Sequence, residues 1–183
     1  MEVEKILIEK DGFKFLKLGT NNYITTFSIE NPAIILANVI HFDIIKLIYE
    51  LNPDIYEFVN LEKVNENESI ITLVMKHFFE DLGMPQRYSY MRLKKSQNEN
   101  SIIFEGETIR SSRPINVPLD AQLVSFETIC STCEIVTPHK IKFTHNISFQ
   151  STRNIPPYVE KAVSIITNKI FKRVKQFIEN IRL

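Results

Sequence analysis

The sequence predicts an α+β fold: a curved antiparallel sheet wrapped around one long C-terminal helix, with two short helices after an early strand. Three observations predict it. Most of the chain reads as short runs with period-two alternation separated by turn residues. Its last 25 or so residues change to a helical period with an apolar stripe. Between the third run and the remaining runs lies an apolar segment opened by Asn31 and Pro32.

The elements follow in order. Ile6, Leu7 and Ile8 form a first strand, and Asp11-Gly12 is a hairpin turn leading to Phe13–Leu18. Residues 19–22 turn the chain again into a strand over 23–29, rich in aromatic and β-branched side chains. Asn31 suits an N-cap and Pro32 the first helical position, which predicts two short helices over 33–40 and 42–51, or one bent helix. Asn52-Pro53 stops them, because a residue before proline is pushed out of the α region. A meander follows, with strands near 55–64, 70–80, 86–95, 101–110, 121–136 and 139–150. In the last of these Ile141, Phe143, His145, Ile147 and Phe149 share a buried face, and Lys142, Thr144, Asn146 and Ser148 share a wet one. After Pro156-Pro157, the positions Val159, Ala162, Val163, Ile166, Ile170, Val174, Phe177, Ile178 and Ile181 stripe one side of the closing helix. A sheet with one apolar face and a helix with one apolar stripe bury each other.

Composition bounds the function. The 183 residues are about one domain's length, so residues 1–183 read as a single unit. With 22 Lys+Arg against 22 Asp+Glu, the chain lacks the basic excess of a nucleic-acid binder. The densest apolar run, Ala33 to Ile48, is interrupted by Asn38, His41, Asp43 and Lys46 and is no membrane span. Cys130 and Cys133 make no disulfide framework, and the first residues lack a secretory signal; a cytoplasmic protein is the expectation. In the C-x-x-C of 130–133 the two side chains point to opposite faces at strand period, so reduced structural thiols are expected rather than a redox or zinc pair.

Several segments together resemble the START lipid-binding domain of the START-like, helix-grip superfamily. They are the hairpin Lys10-Asp11-Gly12-Phe13-Lys14-Phe15, the strand end Ser28-Ile29-Glu30-Asn31-Pro32, the strand Gln86-Arg87-Tyr88-Ser89-Tyr90-Met91-Arg92, and the helix start Ile155-Pro156-Pro157-Tyr158-Val159. The chain departs from that pattern in having no tryptophan, with Phe42-Asp43 where START domains carry Trp-Asp, and Gln86-Arg87 where they carry an Arg-Asp pair. The resemblance implies a cavity between sheet and long helix that shelters a lipid or sterol, carried or sensed without catalysis and without a cofactor.

In that setting the resemblance places Arg92 in the cavity, where a guanidinium would hold a polar head group; the bland alternative is a solvent-facing strand arginine. By alternation Tyr88 and Tyr90 share its face and offer apolar walls with hydroxyl tips. Phe143, His145 and Ile147 of the last strand, with Val163, Ile166 and Ile170 of the helix, complete the candidate ligand-binding set. His145 reads either as a satisfied core histidine or as a hydrogen-bonding group for the ligand. No nucleophile elbow, P-loop or metalloprotease motif is present, and Glu105 with Glu107 reads as a solvated strand face. Two other classes stay open: a cyclase or hydrolase using the same cavity, with His145 and Arg92 as its pair, and a groove that binds a partner protein. From Glu160 onward the helix carries six basic and two acidic residues, suiting transient contact with an anionic membrane or simply a solvated helix back. The closing helix and the loop 111–120 are the expected gate.

Overall fold

The computed structural model describes residues 4–78, 80–150 and 155–182. Its strands are β1 (Glu4–Lys10), β2 (Phe13–Leu18), β3 (Asn22–Glu30), β4 (Tyr56–Asn65), β5 (Glu68–Met75), β6 (Arg87–Gln97), β7 (Ser101–Thr108), β8 (Gln122–Leu123), β9 (Phe126–Thr137) and β10 (Lys140–Phe149). The α-helices are α1 (Phe42–Glu50) and α2 (Pro157–Asn180). The strands make one curved sheet in the order β1-β2-β3-β10-β9-β7-β6-β5-β4, with β8 parallel to β6 and the other pairings antiparallel.

The β1–β2 hairpin turns on Asp11 (φ 53°) and Gly12 (φ 78°), two successive left-handed residues whose twist matches the flanking strands. The outer strands close on β10, which pairs with β3 on one side and β9 on the other. This joins the N-terminal hairpin to the meander and creates the continuous face that α2 covers. Gly106 of β7 sits on that face where a Cβ would lie 2.4 Å from Ile129 Cγ2, so the close approach of β9's side chain requires glycine.

Four expectations differ from the structure. Residues 33–40 form no helix; only a 3-10 turn at Leu36–Asn38 appears. Their backbone bonds go elsewhere: Asn31 and Leu36 N–H donate to His139 and Pro138 carbonyls, and His139 Nδ1 lies 2.8 Å from Ile34 O. The β9–β10 turn thus takes the bonds a helix would have needed. Asn31, expected as an N-cap, does accept Ala33 N–H on Oδ1 (2.9 Å), but no helix follows, and its Nδ2 donates to Ile178 O (2.7 Å) and Ile181 O (3.0 Å) and so caps the end of α2. The long strand over 121–136 is two strands, because the chain first pairs with β6 and then moves to β7 and β10. Phe177, placed in the helix stripe, is exposed, while Phe171 is buried; the stripe runs through Glu160, Ser164, Phe171, Val174 and Ile178.

Candidate functional site

Alternation decides what can line a site. On β6, Met91 and Leu93 point into the main core with α2, and Tyr88, Tyr90 and Arg92 point to the opposite, convex face. Cross-strand partners obey the same rule: Ile71 stands opposite Met91, and Ile70 opposite Arg92.

On the concave face a pocket opens among β3, β7, β9, β10 and the helices. β3 supplies Phe27 and Ile29, β10 supplies Ile141 and Phe143, and β7 and β9 supply Phe104 and Cys133. Ile40, with Ile44, Ile45 and Ile48 of α1, forms one wall, and Phe171, Val174 and Ile178 of α2 form the roof. α1 is amphipathic because Ile44, Ile45 and Ile48 recur at spacings of three and four. His41 caps it, its Nδ1 accepting from Asp43 N–H at 3.2 Å. Phe27, Phe143 and Phe171 meet in one aromatic cluster with centroids 4.8–5.5 Å apart. The space left open is about 20 Å³, room for about one water molecule. Burial pushes the Cys133 thiol up to about 12, so the one sulfur in the wall stays protonated and apolar.

Beyond the aromatic cluster the face becomes polar for one row. His145 lies between Phe143 and Phe171 (centroids 6.3 and 5.3 Å), and its Nδ1 is 2.8 Å from Ser131 Oγ on β9. On its other side stands Thr25 of β3. Desolvation lowers the imidazole pKa to about 4, so the ring is neutral at pH 7.

One turn further, α2 begins on a buried carboxylate. Glu160 accepts from Tyr23 OH at 2.9 Å and pairs with Lys17. Burial alone would raise its pKa, but these partners outweigh burial and hold it below the ordinary carboxylate value. The position, in the first turn of α2, also suits a negative charge. Along the helix Lys169 and Arg173 pair with Asp54, Lys172 with Asp11 and Lys175 with Glu179. These pairs neutralise much of the basic face that the sequence offered to a membrane.

The candidate residues therefore divide. Phe143 lines the pocket, and Ile170 and Ile166 belong to the same hydrophobic cluster. Ile147 and Val163 pack in a neighbouring cluster with Phe15 and Tyr23, beside Glu160. His145 lies between the two groups. The placement of Arg92, Tyr88 and Tyr90 in a cavity is corrected: Arg92 is solvent-exposed with Nη1 3.2 Å from Glu68, and Tyr88 is buried on the convex side. There Val117 and Ala121 cover Tyr88, and Arg113 stacks over its ring at 5.0 Å. The loop expected as a gate is thus anchored at its base on the convex face, while Ile115 and Leu119 at its tip are 99% and 94% exposed. The pocket residues outside the sequence-based set include Phe27, Ile29, Ile44 and Ile48, which carry a readable signal in β3's alternation and α1's spacing, and Phe171 of α2, which the helix stripe read from the sequence leaves out.

Among the described residues no helix is long and apolar enough to cross a membrane. No protein-family model matches the chain, and no curated protein matches it by sequence. Solved structures do match in shape. The human StarD13 (DLC2) lipid transfer and protein localization domain superposes with a TM-score of 0.72 at 9% identity, covering 99% of this chain and 91% of that one. A STAR-related lipid transfer protein from Xanthomonas axonopodis gives 0.70 at 11% identity, covering 95% and 97%. Human STARD10 gives 0.70 at 10% identity, covering 94% and 71%. At such identities the likeness is one of backbone architecture: this chain has the START-like helix-grip fold.

Proposed function

We propose that residues 1–183 act as one unit that binds a lipid-class molecule between sheet and helices, and carries or senses it without chemical change. The single observation behind this is the wall itself. Five separate elements converge isoleucine and phenylalanine side chains on one interior point, with no charged group among them. The solved proteins of the same fold that are described as lipid-transfer proteins support a lipid as the class. Ligand pockets run to about 300–1,000 Å³, so uptake parts α1 and α2 from the sheet and repacks the side chains between them. Each methylene that enters contributes about 0.8 kcal/mol, which offsets that opening. Membrane contact, in this reading, is made by the tip of the loop 109–121, from which Ile115 and Leu119 project into solvent.

The contact of Ser131 with His145 favours a second reading, hydrolysis or cyclisation in the same cavity. An imidazole with a pKa of about 4 is a weak base at neutral pH, and Ser131 lies in mid-strand rather than at an exposed turn. The sequence's proposed partner, Arg92, stands on the other face of the sheet. Carriage accounts for more of the site.

Native mass spectrometry of the purified chain after incubation with vesicles tests the proposal. Carriage predicts a complex with one intact lipid molecule. Protein that stays at its free mass against vesicles of phosphatidylcholine, sterol and diacylglycerol contradicts it.

A further inference from the structure

The concave face holds a narrow polar row that the apolar pocket does not need. The register puts Thr25, His145 and Ser131 side by side on β3, β10 and β9. Phe15 flanks the row on β2 and Phe104 on β7. The row toward the pocket is apolar, with Phe27, Phe143 and Cys133, and the row away from it holds Tyr23, Ile147 and Ile129, with the Tyr23 hydroxyl already committed to Glu160. His145 keeps partial exposure although it faces inward. Only its Nδ1 has a protein partner among the described residues, Ser131 Oγ.

The cations of this face lie at its ends, away from the row. Lys17 is paired with Glu160, Lys5 stands opposite Lys17 and acts on the same carboxylate, and Lys63 at the far side is paired with Asp43. Arg92, the guanidinium that could have received a phosphate, is on the convex side.

Resting on the lipid-carrier reading, we infer that His145, with Ser131 and Thr25, forms the subsite for one uncharged hydroxyl or carbonyl group of the ligand. The chain accordingly selects neutral alcohol-bearing lipids over phosphate-bearing ones. Two tautomers serve this recognition. With Ser131 donating to Nδ1, Nε2–H donates to a ligand oxygen; with Nδ1–H donating to Ser131, Nε2 accepts from a ligand hydroxyl. A hydroxyl satisfies either arrangement, and a carbonyl satisfies the first. The row Phe15, Thr25, His145, Ser131 and Phe104 contains no cation, so an anionic phosphate placed against it would enter unpaired, and burying an unpaired charge is prohibitive. The alkyl or ring portion then lies toward Phe143 and Phe171.

Vesicles of phosphatidylcholine carrying either diacylglycerol or phosphatidic acid, matched in acyl chains, test the inference. The full chain is incubated, separated and read by native mass spectrometry. Diacylglycerol in the complex, with little phosphatidic acid or phosphatidylcholine, is the expected result. The His145→Phe and Ser131→Ala variants are each compared with wild type for dodecanol and for dodecane. His145→Phe, which loses the hydrogen bond to the ligand hydroxyl, predicts about 3–10-fold weaker dodecanol binding with dodecane unchanged, and Ser131→Ala, which only removes the partner that orients the ring, a smaller loss for dodecanol alone. Equal uptake of diacylglycerol and phosphatidic acid overturns the subsite but leaves the carrier standing. Equal losses for dodecanol and dodecane also overturn it, since they mark a packing role. Uptake of no lipid at all overturns both. The wild-type selectivity arm stands if either variant fails to fold.

Discussion

Replacing Glu160 by alanine removes the group that ties the start of α2 to the β2–β3 edge. In the structure its carboxylate is 5% exposed, accepts from Tyr23 OH at 2.9 Å and pairs with Lys17. A hydrogen bond to a charged group contributes about 1.5–3 kcal/mol, and a buried hydroxyl left without a partner costs about 1–3 kcal/mol. Tyr23 is 1% exposed and takes that second penalty, whereas the Lys17 side chain is 21% exposed and regains some water. The net expectation is a loss of about 2–4 kcal/mol. For a chain of this length that lowers Tm by about 4–16 °C. The sign with pH follows from the carboxyl being held below its ordinary value of about 4.3. The ionised form is the stabilised one, so the contribution is complete above that value and is lost as pH falls through the lower folded pKa. Thermal unfolding followed by circular dichroism, for wild type and Glu160→Ala from pH 7 to pH 3, should show a constant gap at the upper end that narrows below about pH 4. Tyr23→Phe, which removes only the hydroxyl and its bond to the carboxylate, should lose about 1.5–3 kcal/mol. Equal midpoints at pH 7, or a gap unchanged down to the lowest pH, would refute the reasoning.

Phe171 in the roof of the pocket packs against Phe27, Phe143 and His145 of the sheet, so Phe171→Ala should cost about 3–5 kcal/mol in urea unfolding; a loss under about 1 kcal/mol would mean the cluster is not packed as described. Arg92→Leu should change stability by less than about 1 kcal/mol, because it removes one exposed pair with Glu68, and lipid uptake in the mass-spectrometric assay should equal that of wild type; a lost ligand would return Arg92 to the site. The double change Ile115→Ser with Leu119→Ser should leave Tm unaltered and weaken flotation with phosphatidylcholine–phosphatidylserine vesicles about tenfold or more, since fully exposed apolar side chains contribute only where a membrane buries them.

Much of the architecture was legible because its signals are local. Alternation in β10, Asp11-Gly12, and the helical period after Pro157 each act over a few residues, and their order in the chain is the order of the fold. The segment 31–40 was misread because its caps are long-range: Asn31 serves carbonyls at the end of α2, and His139 supplies bonds that no window around residue 35 contains. The site was half legible. His145 and Phe143 follow from β10's alternation, and the concave register of β9 then brings Ser131 to His145. Arg92 was misplaced because a resemblance fixed its role while parity decides its face. On β6 the choice between even and odd positions depends on which side α2 covers, and that is settled by β3 pairing with β10, more than a hundred residues away in sequence.

Methyl NMR of the isoleucine-labelled chain titrated with dodecanol tests the central claim most directly, because isoleucines occupy both faces of the sheet. A ligand held between sheet and helices shifts the methyls of Ile44, Ile48, Ile141 and Ile178 and leaves Ile70 and Ile103, on the convex side, unmoved. Shifts confined to Ile70 and Ile103, or none at the pocket isoleucines while dodecanol is bound, would contradict it.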